Sequence, residues 1–240
     1  MNDDLRLALV LADAADVISM RGFHSKFTVR TKADRTPVTE VDEAVERAVR
    51  EMLERERPDD AILGEEFGSV AAAAPGRRRW IIDPIDGTKN FIRGVPVFGT
   101  LIALDGELGV VSAPALHRRW WAARGEGAFC NGAPIRVSAI DKLSDAMLAS
   151  IEDNYAPLVR AVGRARGFGD FWSHMLVAEG ACEIGIDPVV AHWDMAAVQV
   201  IVEEAGGRFT DYAGRARADG GSGVSTNGLL HDEVLRYLRA

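Results

Sequence analysis

Trp80-Ile81-Ile82-Asp83-Pro84-Ile85-Asp86-Gly87-Thr88-Lys89-Asn90 is the stretch on which the reading of this chain turns. Its apolar start predicts a short buried strand over 80–82, closed by Asp83-Pro84. Two carboxylates, Asp83 and Asp86, then follow three residues apart. Pro84 disfavours helix at Asp83 and holds it extended. Gly87 lets the backbone turn tightly and lets a ligand come close to it. A helix beginning at Gly87 or Thr88 would aim its free N–H groups at an anion. Carboxylates beside a backbone anion site need a cation between them and a phosphate. Hard oxygen donors favour Mg²⁺, which binds few carboxylates and shares substrate oxygens. A solubilising turn, with Asp and Thr as caps, explains the same residues equally well.

Outward from this stretch, Leu5, Ala8, Leu9, Ala12 and Ala15 recur at helical spacing and predict a helix over 3–21. After a polar loop at 23–38, an apolar stripe from Val41 to Leu53 predicts a second helix that ends at Pro58, with Thr39 and Asp42 as a capping pair. Strands are expected at 61–63, 98–104, 107–113, 120–123, 128–130 and 135–137, with Asp105-Gly106 and Asn131-Gly132 as turns. Beyond them the pattern alternates. It predicts strands at 147–151, 183–186, 208–210 and 224–226, helices at 155–164, 171–179, 193–205 and 231–239, and a flexible glycine-rich loop at 218–223. The expected class is α/β with mixed α+β layers, in two parts, 1–143 and 144–240.

Two more acidic positions join the first pair. Gly64-Glu65-Glu66 closes one strand much as Asp83 closes the next, so adjacent strands would bring these ends together. His192-Trp193-Asp194 opens a helix with an acid in its first turn, where the helix dipole alone could account for it.

The chain has 240 residues and a net charge of −8. That charge excludes a global attraction to nucleic acid or to an anionic membrane as the main driver of binding. No apolar run is long enough to span a bilayer, and no secretory signal is evident, so a cytoplasmic protein is expected. Two distant cysteines, Cys130 and Cys182, fit buried thiols in a reducing compartment rather than a disulfide or zinc site. Arg77-Arg78-Arg79 reads as a solvated run on a loop. Trp120-Trp121 reads as core or as a dimer surface.

Four motifs occur in one order: Gly64-Glu65-Glu66, Asp83-Pro84-Ile85-Asp86-Gly87-Thr88, Gly125-Glu126-Gly127-Ala128-Phe129-Cys130-Asn131-Gly132, and Trp193-Asp194 through Glu204-Ala205-Gly206-Gly207. Together they resemble the inositol monophosphatase superfamily over almost the whole chain. The resemblance implies a five-layer αβαβα sandwich, a homodimer, and phosphomonoester hydrolysis with two Mg²⁺ and a third, weaker ion. It implies that Glu65, Asp83 and the carbonyl of Ile85 hold one ion, and that Asp83, Asp86 and Asp194 hold another. Asp42 would pair with Thr88 and reach the third ion through water. Gly87 and Thr88 would donate N–H groups to phosphate. Glu65, or Thr88 with Asp42, would orient or deprotonate the attacking water.

Lys32-Ala33-Asp34-Arg35-Thr36-Pro37-Val38-Thr39, Gly87-Thr88-Lys89-Asn90-Phe91 and Gly167-Phe168-Gly169-Asp170-Phe171-Trp172-Ser173-His174 are similar to the bacterial histidinol-phosphatase branch. The stretch between Lys142 and Gly169 is shorter than that branch's pattern. Histidinol phosphate carries an ammonium and an imidazole, so its pocket should hold acids and an aromatic face. Asp86, Asp170 and Asp187 are the candidate acids and Trp172 the candidate aromatic. Trp172 as ordinary core and Asp187 as a plain turn residue before Pro188 are the competing readings. His174 and His192 read as structural histidines. Inositol monophosphate, another small sugar or nucleotide phosphate, or a non-catalytic relative are the alternatives.

Overall fold

The structure, a computed structural model, describes residues 2–33, 35–70, 78–150 and 155–239. Two helices come first, α1 (Asp3–Phe23) and α2 (Glu40–Glu56), separated by the hairpin β1 (Val29–Thr31) and β2 (Pro37–Thr39). Then follow β3 (Ala61–Gly64), β4 (Gly68–Val70), β5 (Arg79–Asp86), the single turn α3 (Thr88–Ile92), β6 (Gly99–Leu104), β7 (Leu108–Ala113), β8 (Arg118–Ala123), β9 (Gly127–Cys130) and β10 (Ala133–Ile135). The strands β3 to β10 form an eight-stranded sheet in the order β10-β9-β8-β7-β6-β5-β3-β4. Its neighbours are antiparallel except β3 and β5, which run parallel.

The remaining elements are β11 (Met147–Leu148), α4 (Ala156–Ala161), β12 (Arg164–Ala165), α5 (Asp170–Ala178), β13 (Ile184–Asp187), α6 (His192–Glu204), β14 (Arg208–Thr210), β15 (Gly223–Thr226) and α7 (His231–Leu238). A five-stranded sheet orders its strands β12-β11-β13-β15-β14.

Strict alternation explains the layering. Successive strand residues point to opposite faces, so a sheet covered on both sides needs apolar residues throughout. Ile82, Ile102 and Val110 pack with Leu11, Val45 and Val49 of α1 and α2. Ile81, Leu101 and Val111 point the other way, to Met175 of α5 and Val198 and Ile201 of α6. Phe209 of β14 joins that second core, so α5 and α6 lie between the two sheets. Ile184, Ile186 and Val224 turn to Leu158 of α4 and Leu235 of α7 on the far side. The result is the five-layer αβαβα arrangement that the resemblance implies.

One close approach sets the height of α6 over the large sheet. A Cβ on Gly109 of β7 would stand 2.4 Å from the carbonyl oxygen of Ala197. No side chain fits there, so the helix carrying Asp194 rests directly on strand backbone.

Several local expectations need correction. The hairpin β1–β2 occupies the predicted polar loop and extends one residue past it to Thr39, and its strands are too short to show an alternating pattern. The strand expected at 135–137 is β10, displaced toward the Asn131-Gly132 turn, whose two residues both adopt positive φ (49° and 85°), as a two-residue hairpin requires. The helix expected at 155–164 stops at Ala161, and Arg164 and Ala165 pair with β11 instead. The strand expected at 147–151 is ordered as β11 at its start, and Ile151 lies outside the described residues. The 218–223 loop is less free than its glycines suggest: Ala218 is buried, and the Ser222 hydroxyl accepts from the Tyr212 N–H at 3.0 Å.

The arginine run is not simply solvated. Arg78 pairs with Asp4 and Asp60, and Arg79 with Asp105; Arg77 lies outside the described residues. Trp120 is core, while Trp121 is half-buried and stacks on Phe129. Both cysteines are buried free thiols. Among the described residues no helix is long and apolar enough to cross a membrane.

Candidate active site

The site grows from the parallel pair β3 and β5. Gly64 is level with Ile82 in their register, and the Glu65 N–H continues the ladder onto the Ile82 carbonyl at 3.2 Å. Glu65 therefore leaves the sheet beside Asp83. The side of β5 that carries Ile81 toward α6 also carries Asp83, two residues on. Asp194 meets it there, because it is the third residue of α6 and its carboxylate caps the helix by accepting from the Ala191 N–H at 2.7 Å.

Pro84 and a break in register between Asp83 and Asp86 turn the end of β5, as the sequence suggests. Gly87 then takes a left-handed conformation at φ +81°. A Cβ on it would stand 2.9 Å from the Val97 carbonyl oxygen and 3.4 Å from a carboxylate oxygen of Asp170, so only glycine serves. Thr88 begins α3, whose first N–H groups have no acceptor within the helix. The Thr88 hydroxyl lies 2.9 Å from the Ile85 carbonyl oxygen and 3.2 Å from Asp42 Oδ1.

Asp42 reaches this point from α2. A capping box holds its Oδ2, which accepts from the Thr39 N–H at 3.0 Å and from the Thr39 hydroxyl. Its Oδ1 is left facing Thr88. Asp42 is fully buried, and burial raises its carboxyl above the usual range, with Glu65 adding repulsion against the Thr39 hydrogen bonds.

A second group of acids stands next to the turn. Asp86 Oδ2 accepts from the Phe171 N–H at 2.6 Å, which docks the start of α5 against the end of β5. Asp170 itself is a non-glycine residue at φ +50°, a conformation that costs energy and is held by its surroundings. Its Oδ2 accepts from the Asn90 amide at 3.1 Å. Asp187 ends β13, and its Oδ2 lies 2.8 Å from His174 Nε2. Trp172 is half-buried, and its ring meets Phe168 edge to face at 5.3 Å.

The electrostatics of these acids are dominated by burial and mutual repulsion. Asp83 and Asp86 are both raised well above the ordinary carboxylate range, first by burial. Glu65, Asp86 and Asp194 then repel Asp83, while Asp170 and Asp194 repel Asp86. Asp194 is pushed up to about 6 by burial, with repulsion from Glu65 and Asp187, against the hydrogen bond from the Ala191 N–H. Asp170 is also raised to about 6, by burial and by Asp187, with Lys89 opposing.

Lys32 is the residue that the sequence reading did not single out. Its ammonium bridges Glu65 Oε1 and Glu66 Oε1 at 2.8 Å each, across more than thirty residues of chain. Burial pulls this ammonium down, but the hydrogen bonds and charges of Glu65 and Glu66 carry it above the usual lysine range. Glu66 is raised to about 7, chiefly by burial. The loop that presents both glutamates hangs on Glu46, which accepts from the Glu66 and Phe67 N–H groups at 2.7 and 3.1 Å and pairs with Arg50. Only a position in a motif pointed to Lys32; its partners depend on long-range folding.

These side chains stand as pairs rather than as a closed cage. Among the described residues, no three His, Cys, Asp or Glu side chains converge closely enough to enclose an ion. The donor set nevertheless fits a hard divalent cation. It is all oxygen, its members raise one another's proton affinity across the site, and Asp83 Oδ1 is buried without any hydrogen-bond partner. An orphaned carboxylate oxygen facing other acids is what a cation would satisfy.

The family profile for the inositol monophosphatase family matches residues 3–240. A protein of Mycobacterium tuberculosis named histidinol-phosphatase is 51% identical over 259 residues, covering 100% of this chain and 99% of its own. The fold superposes on the extragenic suppressor protein SuhB of Bartonella henselae with a TM-score of 0.93 at 26% identity, over 99% of each chain. It superposes on an IMPase of Thermotoga maritima with a TM-score of 0.88 at 32% identity, over 99% of this chain and 97% of that one. With its four motifs, its five layers and its acid-lined turn, this chain belongs to the inositol monophosphatase family.

Proposed function

We propose that this chain is a Mg²⁺-dependent phosphomonoesterase that hydrolyses L-histidinol phosphate to L-histidinol and phosphate. The observation that carries the substrate assignment is the second group of acids. Asp170 and Asp187 stand close enough to Asp86 to raise its proton affinity, and Asp170 borders the Gly87 turn that would take the phosphate. An ammonium and an imidazole would meet these carboxylates with charge and N–H donors, whereas a neutral polyol would meet them with hydroxyl donors alone. The similarity to the Mycobacterium tuberculosis protein supports the same reading.

In this reading Glu65, Asp83, Asp86, Asp194 and the Ile85 carbonyl would hold two Mg²⁺, and Asp42 would reach a third through water. When bound, the ions supply a water of lowered pKa and neutralise the charge that develops on phosphate and leaving oxygen. The chain's own groups do the rest. The Gly87 and Thr88 N–H groups hold the phosphoryl oxygens in line. Glu65 orients the attacking water. The Thr88 hydroxyl accepts its proton and passes one on to Asp42 Oδ1, 3.2 Å away, where burial favours the protonated form. Asp86, Asp170 and Asp187, with the Trp172 ring, hold the organic end. A homodimer in the cytoplasm is the expected assembly and place.

A second reading keeps the chemistry and changes the alcohol to inositol. The likeness to the Thermotoga maritima IMPase favours it. The two readings part at the second group of acids. Asp187→Ala and Asp170→Ala should each raise KM for histidinol phosphate by about tenfold, with a smaller change in kcat, because each removes a charge contact to the cationic end. Steady-state kinetics on histidinol phosphate and on an uncharged phosphate ester checks this. Equal losses on both esters would show that these acids do not read the organic end.

A further inference from the structure

We propose that His174 is a positioning residue for substrate selection: its buried imidazole fixes the carboxylate of Asp187 toward the cationic end of the substrate. This rests on the assignment of Asp187 to that end.

His174 lies on the face of α5 that packs against the smaller sheet. The strand comes close because β13 has a glycine there. A Cβ on Gly185 would stand 3.0 Å from the Ser173 carbonyl oxygen and 3.1 Å from its carbon. The imidazole is then held at both ends. Nε2 is 2.8 Å from Asp187 Oδ2, and Nδ1 is 2.7 Å from the Ser225 hydroxyl on β15. Ser225 is the register partner of Gly185, so both anchors belong to the sheet beneath the helix. His174 and Ser225 are both fully buried.

An ionised carboxylate only accepts hydrogen bonds, so with Asp187 ionised Nε2 donates to it, and in the neutral imidazole Nδ1 then accepts from the Ser225 hydroxyl. This chain runs from the core to the edge of the site, where about a fifth of the Asp187 side chain remains accessible. Asp187 adds repulsion at Asp86, Asp170 and Asp194, so its carboxylate stands among like charges. The Nε2–H bond holds one oxygen against that repulsion and leaves the other for a cation. A histidine that only filled core space would not need its outer nitrogen on an accessible acid.

The test is a double-mutant cycle read as a specificity ratio, kcat/KM for histidinol phosphate over kcat/KM for an uncharged phosphate ester. His174→Leu should lower this ratio about tenfold, mainly through KM for histidinol phosphate, as loss of a charge-assisted hydrogen bond implies. His174→Gln, which can return an N–H to Asp187, should recover most of it. In an Asp187→Ala background, His174→Leu should lower the ratio no further. Equal losses on both esters, or an undiminished effect without Asp187, would overturn the proposal and leave His174 a packing residue. If His174→Leu does not fold, Ser225→Ala, which frees the inner nitrogen, is read in the same way. An Asp187→Ala ratio equal to wild type would instead overturn the assignment of Asp187, and this inference with it. A lowered ratio in Asp187→Ala alone would overturn only the role of His174.

Discussion

Asp83→Asn and Asp194→Asn should each lower kcat/KM by about a thousandfold or more while the protein stays folded. Both residues sit where the large sheet and α6 meet, and Asp194 repels Asp83 there. Each amide keeps the shape of the side chain and removes the charge proposed to hold a divalent ion. The folded state should not suffer in the absence of metal. Asp83 is a buried acid surrounded by other acids, with one oxygen lacking any donor, so the neutral amide relieves repulsion. Phosphate release with saturating Mg²⁺, set beside thermal melting in chelator, measures both effects. A kcat near wild type in either variant would remove that residue from the metal site. A lost fold would make the lost activity a matter of packing.

The second large effect concerns stability and pH in the metal-free protein. Folding raises Asp194 from an ordinary 3.8 to about 6, and Asp83 and Asp86 rise well above their ordinary value too. Between those values the folded chain binds more protons than the unfolded one, so stability must fall as pH rises from about 4 through 6. The loss continues until Asp83 and Asp86 have ionised. His231 works in the opposite direction. Burial between Thr210 and Thr226 lowers it from 6.5 to about 4, so its contribution grows as pH rises between those values. The acid contribution is therefore read as a difference, wild type minus Asp194→Asn. In chelator, this difference in Tm should move against wild type between pH 5 and pH 8. Saturating Mg²⁺ should reverse it, because binding to the folded state alone stabilises that state. A difference that stays flat with pH, or that Mg²⁺ leaves untouched, would contradict a cation site at these acids.

How much of this can be read from the sequence depends on how local the causes are. Asp83, Asp86 and the Gly87 turn announce themselves because Pro84 and Gly87 restrict the backbone within a few residues. Glu65 is legible as the end of a neighbouring strand, and the parallel register of β3 and β5 brings it beside Asp83. Asp42 is different. Its local pattern speaks only of a capping box, and its approach to Thr88 depends on how α2 packs on the sheet, so only the family resemblance reaches it. Lys32 follows from no local rule, because its partners are thirty-three and thirty-four residues away. His174 reads from sequence as a satisfied structural histidine. It has two partners, as that reading expects, but one of them is a candidate substrate acid. The strands β1 and β4 escape notice because they are short and largely exposed, while the fully buried β6 and β7 do not.

A net charge of −8 is no obstacle to an anionic substrate once the acids are seen to gather at one turn. It makes a cation a condition of phosphate binding, because the ion's own charge inverts the local field. The most direct test is therefore phosphate release from L-histidinol phosphate and from inositol monophosphate, each with Mg²⁺ and with chelator. The account predicts hydrolysis only with Mg²⁺ and a kcat/KM for histidinol phosphate at least about tenfold higher, the discrimination expected of a charged contact made to one ester alone. Hydrolysis that persists in chelator, or a large preference for inositol monophosphate, would contradict it.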